Sequence, residues 1–341
     1  MWKGKLYCFT VLVFGISTGP YIFTKCLRPM VKYWRENSVK IVLYLDDGFG
    51  MNTDEEQCIK DSNFVRQSLL DAGFLVNYDK SIFKPVKSME WLGIIWNSHN
   101  FTLSIPERRV NDMLSSLNCV FETFPRITAR TLAQITGMII SMSPVIGNVS
   151  RLMTRYCYMA IVKRFSWDNL LVFDDVKKIE SELCFWQSNI NAINCKILST
   201  YDKSSIIIYS DASNVAAAAC TVEIDRKNLH KMWTTDEALK SSTWRELKAI
   251  ELPLCSFQHV FSGKSLNWYT DNQNCVNIVE AGSMKENLQA IAMTFFSIGL
   301  INGISIDIQW IPKEGNTQAD YIRKIIDYED WGVSDLKKKY E

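Results

Sequence analysis

The chain has 341 residues, with 38 Lys+Arg against 37 Asp+Glu for a formal net charge of +1, and it is 47% apolar and 22% charged. Those proportions exclude a disordered or collagen-like chain, and near-neutrality excludes a histone-like polycation while allowing local basic patches. The length suggests about two domains. Ten Cys with no C-x-x-C pair, and only His99, His230 and His259, exclude a disulfide scaffold and a Cys/His zinc site, so the thiols read as free in a reducing compartment.

Lys3 and Lys5 before the apolar residues 6–16, then Ser17, Thr18 and Gly19, imitate a secretory signal peptide. The same residues also read as a strand (6–14) and a turn (15–20). Helical spacing follows over 21–36, where Ile22, Leu27, Met30 and Tyr33 share a face. Residues 41–45 are a short apolar run ending in Asp46-Asp47-Gly48, with Gly48 and Gly50 suited to a hairpin turn. A helix over 54–72 ends at Gly73, and strands are predicted at 75–77 and 89–97.

From Pro106 to Arg164 the pattern is helical, with a new helix starting at residues 128–131 and breaks at Pro144 and Gly147. This stretch carries eight basic and three acidic residues, which suits either a solvated face or phosphate contacts. Residues 165–204 read as a connector with a helix near 174–190. Strands at 206–209, 215–224 and 231–234, a helix at 243–258, a strand at 267–270, helices at 272–281 and 285–300, a strand at 305–311 and a helix from about 317 then give the order βββαβααβα, a mixed α/β domain. No run of about 18 apolar residues exists, so no membrane helix is expected.

Two sets of carboxylates stand out. Asp46 and Asp47 end an apolar run, where a tight turn could aim both at one Mg²⁺; taken alone, the motif is better explained as an ordinary Asp-rich turn. The second set is Asp211, Glu246, Asp271 and Asp320. Each falls near the end of a predicted strand or the start of a helix, where side chains can converge at one end of a sheet. Converging carboxylates repel unless cations neutralise them, so the set implies metal, and two metals could activate water and stabilise the leaving oxygen of a phosphodiester. Any one of the four alone reads as a cap or surface acid.

The motifs Ser210-Asp211-Ala212-Ser213, Thr243-Trp244-Arg245-Glu246-Leu247, Tyr269-Thr270-Asp271-Asn272, Trp310-Ile311-Pro312 and Asn316-Thr317-Gln318-Ala319-Asp320 resemble, in order, those of retroelement ribonuclease H domains. The resemblance covers about residues 200–330. It implies Mg²⁺-dependent hydrolysis of the RNA strand of an RNA–DNA hybrid. Asp211, Glu246, Asp271 and Asp320 would hold two metals, and Ser213, Asn272 and Asn316 would lie near the nucleic acid. Upstream, Phe14-Gly15-Ile16-Ser17-Thr18-Gly19-Pro20 resembles the reverse-transcriptase motif that touches template and incoming nucleotide. Tyr44-Leu45-Asp46-Asp47 resembles that family's Y-x-D-D metal hairpin, Gly73-Phe74 with Asn77 and Lys80 its next motif, and Trp91-Leu92-Gly93 its primer grip. Gly15, Ser17, Tyr44, Lys80, Trp91 and Gly93 would then contact RNA template or DNA primer, and Asp46 and Asp47 would bind Mg²⁺.

The implied fold class is α/β (α+β): a partial reverse-transcriptase palm (1–105), a helical thumb (106–165) whose basic excess faces phosphates, a connector (166–204), a ribonuclease H-like mixed-sheet domain (205–330) and a tail (331–341). The order is that of LTR-type and tyrosine-recombinase retrotransposons, and residues 326–331 suggest the DIRS-like group. This arrangement also accounts for the imitation signal peptide as palm strand and turn, so an intracellular, non-secreted protein is expected. The pattern departs from the family at four places. The 13 residues before Phe14 hold no Asp or Glu, so the first palm metal ligand is missing. An N-terminally truncated copy or one piece of a larger polyprotein, with an impaired polymerase half, is expected. Gly19 replaces a usual Ala. Residues 312–315 lack the His of many cellular relatives, and residues 216–219 lack a Gly. The alternative expectation is a non-catalytic nucleic-acid-binding remnant.

Overall fold

The computed structural model describes residues 3–4, 8–9, 11–198, 205–222 and 228–324. The 326–331 motif, the tail, and residues 199–204 and 223–227 lie outside the described residues. The chain divides into two compact units, Met1–Pro106 and Glu107–Glu341.

In the first unit, Pro20 opens the helix Gly19–Glu36, where a missing N–H costs nothing. The helix buries Leu27 and Trp34, and Trp34 Nε1 donates to Ser68 Oγ at 2.7 Å on the second helix, Glu55–Asp71. Asp54 caps that helix through the Gln57 N–H, and Gly73 follows its end at φ +81°. The strand predicted at 6–14 is absent from the described residues of that segment. Phe9, Val11 and Phe14 are solvent-exposed, so no sheet partner draws the segment into a ladder. Residues 75–77 are likewise irregular, with Leu75 fully exposed.

The hairpin at 41–50 forms, but its turn is not where the glycines suggest. Strands Ile41–Tyr44 and Asp47–Gly50 pair antiparallel with Tyr44 opposite Asp47, so Leu45 and Asp46 make the turn and Gly48 and Gly50 lie in the return strand. Leu45 adopts φ +55°, a left-handed conformation that a two-residue hairpin demands. The strand predicted at 89–97 is also a hairpin. Leu92 (φ +51°) and Gly93 (φ +70°) reverse the chain between Ser88–Trp91 and Ile94–Asn97, and Thr102–Ser104 adds a third strand. Phe49 packs its ring 5.2 Å from Trp91 and 5.4 Å from Trp96, joining the two sheets.

The second unit begins with helices. Glu107–Thr123 buries Val110, Met113, Leu117 and Val120, a three–four spacing that keeps one stripe inward. Thr128 caps Ala129–Ser141, and Asp175 caps Val176–Ile193. Between them, Arg155–Val162 begins against Glu182, whose two carboxylate oxygens accept the Tyr156 and Cys157 N–H groups at 3.0 and 2.9 Å.

A five-stranded mixed sheet follows. Strands Ser205–Ala212, Ala216–Thr221 and Asn228–Met232 run antiparallel in sequence; Ser265–Thr270 and Ser305–Trp310 extend the other side in parallel, so Ser205–Ala212 is central. Helices Ser242–Ser256 and Glu286–Asn302 cover one face over Ile206, Ile208, Leu266 and Trp268. On the other face, Ile322 of the last helix, Thr317–Ile322, packs on Ala218 and Cys220. The Ala216–Ala219 run is wholly buried, its small side chains allowing close approach. The α/β class therefore holds, as does the predicted order of elements from residue 205 on.

The helices and the sheet share one core. Leu152 enters the sheet-domain cluster, Gln289 Nε2 donates to its carbonyl at 3.1 Å, and Phe185 meets Phe296 edge-on at 5.6 Å.

Candidate metal centre

Three of the predicted acids converge. Asp211 lies within the central strand, not after it, and is 1% exposed. Glu246 projects from the second turn of helix Ser242–Ser256, which starts where Ser241 accepts the Trp244 N–H. Asp271 sits between strand Ser265–Thr270 and helix Gln273–Ala281. A carboxylate oxygen from each lies within 4.8 Å of the other two.

Neighbours fix the strand ends. Ser210 Oγ accepts from Trp268 Nε1 at 2.8 Å, and the Ser210 carbonyl accepts from Asn316 Nδ2 at 2.9 Å. Trp310 Nε1 donates to the Asp271 carbonyl at 2.9 Å. Sequence reading missed the parts played by Trp268 and Arg323; the position of Arg323, three residues beyond Asp320 on one short helix, was the available signal.

Burial dominates the electrostatics. It pushes the Glu246 carboxyl up to about 9, helped by Asp211 and Asp271 and opposed by the Ala212 N–H. It pushes Asp211 up to about 6 against the pull of Arg323. Asp211 Oδ2 and Glu246 Oε2 are buried with no hydrogen-bond donor. Three hard oxygen ligands, with Glu246 Oε2 unpartnered and Asp211 Oδ2 facing only the Arg323 guanidinium at 2.8 Å, fit a divalent cation such as Mg²⁺.

The fourth predicted ligand stands apart. Asp320 is outside the converging group. Its carboxyl is bonded by Lys324 and Arg323, which hold it down to about 2. Asn316, expected to face nucleic acid, is 1% exposed and braces Ser210 instead. Ser213 Oγ accepts the Val215 and Ala216 N–H groups at 3.0 Å, tightening the turn between strands, and Asn272 caps the helix after Asp271 through the Asn274 N–H.

In the first unit Asp46 and Asp47 are exposed, one in the turn and one opening the return strand; among the described residues no third acid joins them in a metal-binding group. Tyr44 is exposed, as are Gly15 and Ser17 in the loop before the first helix. The Lys80 N–H is held by Asn77 Oδ1 at 3.2 Å, leaving its side chain at the surface. Trp91 is half-buried with Nε1 unpartnered, and Gly93 forms the turn beside it.

The basic excess of the thumb is also partly spent internally. Arg155 donates to the Ala281 carbonyl, Arg130 pairs with Asp168 at 2.7 Å, Lys163 pairs with Asp174, and Arg164 lies 3.9 Å over Trp167. Acids of the connector thus neutralise part of the charge expected to face phosphates.

Residues 1–96 match the family model described as reverse transcriptase (RNA-dependent DNA polymerase). Among solved structures, a foamy viral protease-reverse transcriptase in complex with RNA/DNA hybrid is 15% identical, with a TM-score of 0.45 over 98% of this chain and 42% of that chain. Its complex with dsDNA is 15% identical, with a TM-score of 0.46 over 88% and 60%. Ribonuclease H1 from Halobacterium salinarum is 15% identical, with a TM-score of 0.30 over 35% and 94%. The chain spans less than two thirds of the foamy viral chains, 42% and 60% of their lengths. A region matching the reverse-transcriptase model is followed by a five-stranded mixed sheet carrying an acidic triad of two buried residues and one half-buried one. No helix among the described residues is long and apolar enough to cross a membrane.

Proposed function

We propose that this chain carries a retrotransposon-derived reverse-transcriptase region and a ribonuclease H domain, and that its working activity is Mg²⁺-dependent hydrolysis of the RNA strand of RNA–DNA hybrids. The observation that carries the reading is the meeting of Asp211, Glu246 and Asp271 at one end of the sheet, with the buried Glu246 Oε2 unpartnered and Asp211 Oδ2 without a hydrogen bond. Such a set is costly for folding alone and is explained by a cation. Asp211 and Asp271 are the principal ligands, and Glu246 completes the set from the facing helix. Bound divalent cations would supply water activation and stabilisation of the leaving oxygen. Trp268, Asn316 and Trp310 hold the ligand-bearing backbone still, so the acids are placed before substrate arrives.

Asp46 and Asp47, exposed and joined by no third acid among the described residues, are not proposed to form a metal site by themselves. The proposed partners are the hybrid, RNA template, DNA primer and other parts of a retroelement polyprotein. An intracellular location is proposed with them; all ten cysteines are free thiols, which suits a reducing compartment. The test is cleavage of a labelled hybrid with Mg²⁺ and with EDTA. Cutting of the RNA strand that needs Mg²⁺ and vanishes in a folded Asp271→Asn variant is expected; undiminished cutting by that variant refutes the assignment. A second reading, the non-catalytic binder, is favoured by one observation, the ion pair that Arg323 already makes with Asp211. Salt-dependent hybrid binding without any cleavage in Mg²⁺ would select it.

A further inference from the structure

Arg323 comes from the last helix into the acidic site. Its side chain is 13% exposed. Nε lies 2.8 Å from Asp211 Oδ2 but donates its hydrogen to Asp320 Oδ1 at 3.0 Å, a second nitrogen also pairs with Asp320, and the third donates to the Ala212 carbonyl at 3.0 Å. One guanidinium therefore spans two carboxylates and the end of the central strand. Its approach to Asp211 is close in distance yet poorly directed, since Oδ2 still lacks a hydrogen-bond donor. Leaving Asp211 therefore breaks no aligned hydrogen bond to that carboxylate, while Asp320 and the Ala212 carbonyl keep the guanidinium anchored beside it.

We propose that Arg323 is a resident counter-ion that competes with divalent metal for Asp211, so that metal loading requires the guanidinium to yield. The inference rests on the metal-site reading above. Arginine does not lose its charge at any ordinary pH, so the competition is permanent. A positive charge this close to a ligand oxygen, with little solvent to screen it, opposes a second cation strongly. Lys324 does not substitute for it, because its side chain is 64% exposed and its pair with Asp320 is a solvated one. In the absence of metal, Arg323 offsets part of the repulsion among Asp211, Glu246 and Asp271, which gives the residue a role in folding and an opposite role in loading.

The experiment is calorimetric titration of the full chain with Mn²⁺, alongside melting in EDTA and in Mn²⁺. The proteins compared are wild type, R323Q, R323K and D271N. R323Q is expected to melt below wild type in EDTA, to bind Mn²⁺ about tenfold or more tightly than wild type, and to recover its melting deficit when loaded. A purely structural arginine would lower melting in both conditions and leave affinity unchanged or weaker, and that result overturns the proposal. Should R323Q fail to fold without metal, R323K decides. A lysine ammonium is a point charge and cannot bridge both carboxylates, so R323K is expected to bind Mn²⁺ more tightly than wild type, and equal or weaker binding overturns the proposal. D271N reports on the site itself. Wild-type affinity in D271N refutes the metal-site reading, whereas loss of binding in D271N with no gain in either arginine variant refutes only the role of Arg323.

Discussion

Two carboxyls at the end of the central strand stand above their ordinary values, Asp211 raised from 3.8 to about 6 and Glu246 from 4.5 to about 9. The folded state therefore holds protons that the unfolded chain has released, and stability present below pH 4 is lost as pH rises through both values. Metal-free protein should melt progressively lower from pH 5 to pH 8, and millimolar Mg²⁺ should flatten that decline by pairing with the ionised acids. Melting curves in EDTA and Mg²⁺ across this range check the expectation; identical slopes would count against a cation site. Glu182 contributes a decline of the same sign, since burial raises it from 4.5 to about 7, but Mg²⁺ should not relieve it. Its carboxylate also caps a helix that has no side-chain cap of its own. Glu182→Ala should cost roughly 2–4 kcal/mol in denaturant unfolding, because two buried N–H groups lose their acceptor. That Asp211, Glu246 and Asp271 belong together was legible in the sequence through their motifs. Glu182 was not, because a cap delivered from another helix leaves no local signature.

Among the elements, the turns show most clearly what pattern reading can reach. Glycines mark permissive backbone, and the Gly48 and Gly50 signal correctly announced a hairpin, yet the left-handed position fell to Leu45 because cross-strand pairing set the register. The same competition split residues 89–97 into two strands at Leu92–Gly93. Gly282 is a different case. It follows helix Gln273–Ala281 at φ +70° and ψ −179°, a region essentially reserved for glycine, and a Cβ there would come within 2.5 Å of Gln289 Oε1. Gln289 Oε1 already accepts the Ser283 N–H at 2.9 Å, so it has no freedom to retreat. Gly282→Ala should destabilise the second unit by about 2–3 kcal/mol, read as a lowered denaturant midpoint with unchanged slope. Helices were the most legible elements, since Thr128, Asp175, Ser241 and Asn272 cap them as their residue types suggest. Residues 8–9 and 11–14, the described part of the strand predicted at 6–14, stay irregular, because strand formation needs a partner, which composition cannot supply.

On the scale of the second unit, the sheet and the helices before it fold as one body. Leu152 in the sheet-domain core, the Gln289 bond to its carbonyl, and the Lys178–Glu286 pair tie residues 149–193 to residues 281–296. A fragment of residues 107–341 should unfold in one cooperative transition, whereas residues 200–341 alone should melt at least several degrees lower, having exposed the surface that Leu152 and Phe185 cover. Equal melting of the two fragments would contradict this account. The order of domains was legible in sequence motifs; the shared core was not, since long-range packing of Leu152 has no motif. The insertion of Leu152 also sets where this lineage can be recombined. A crossover near residue 200 would join a new sheet domain to a helix that fits only the old one, leaving a hole on one side and a stranded apolar side chain on the other. A crossover near Pro106 leaves that fit intact, so descendants that exchange modules should inherit residues 107–324 as a single block.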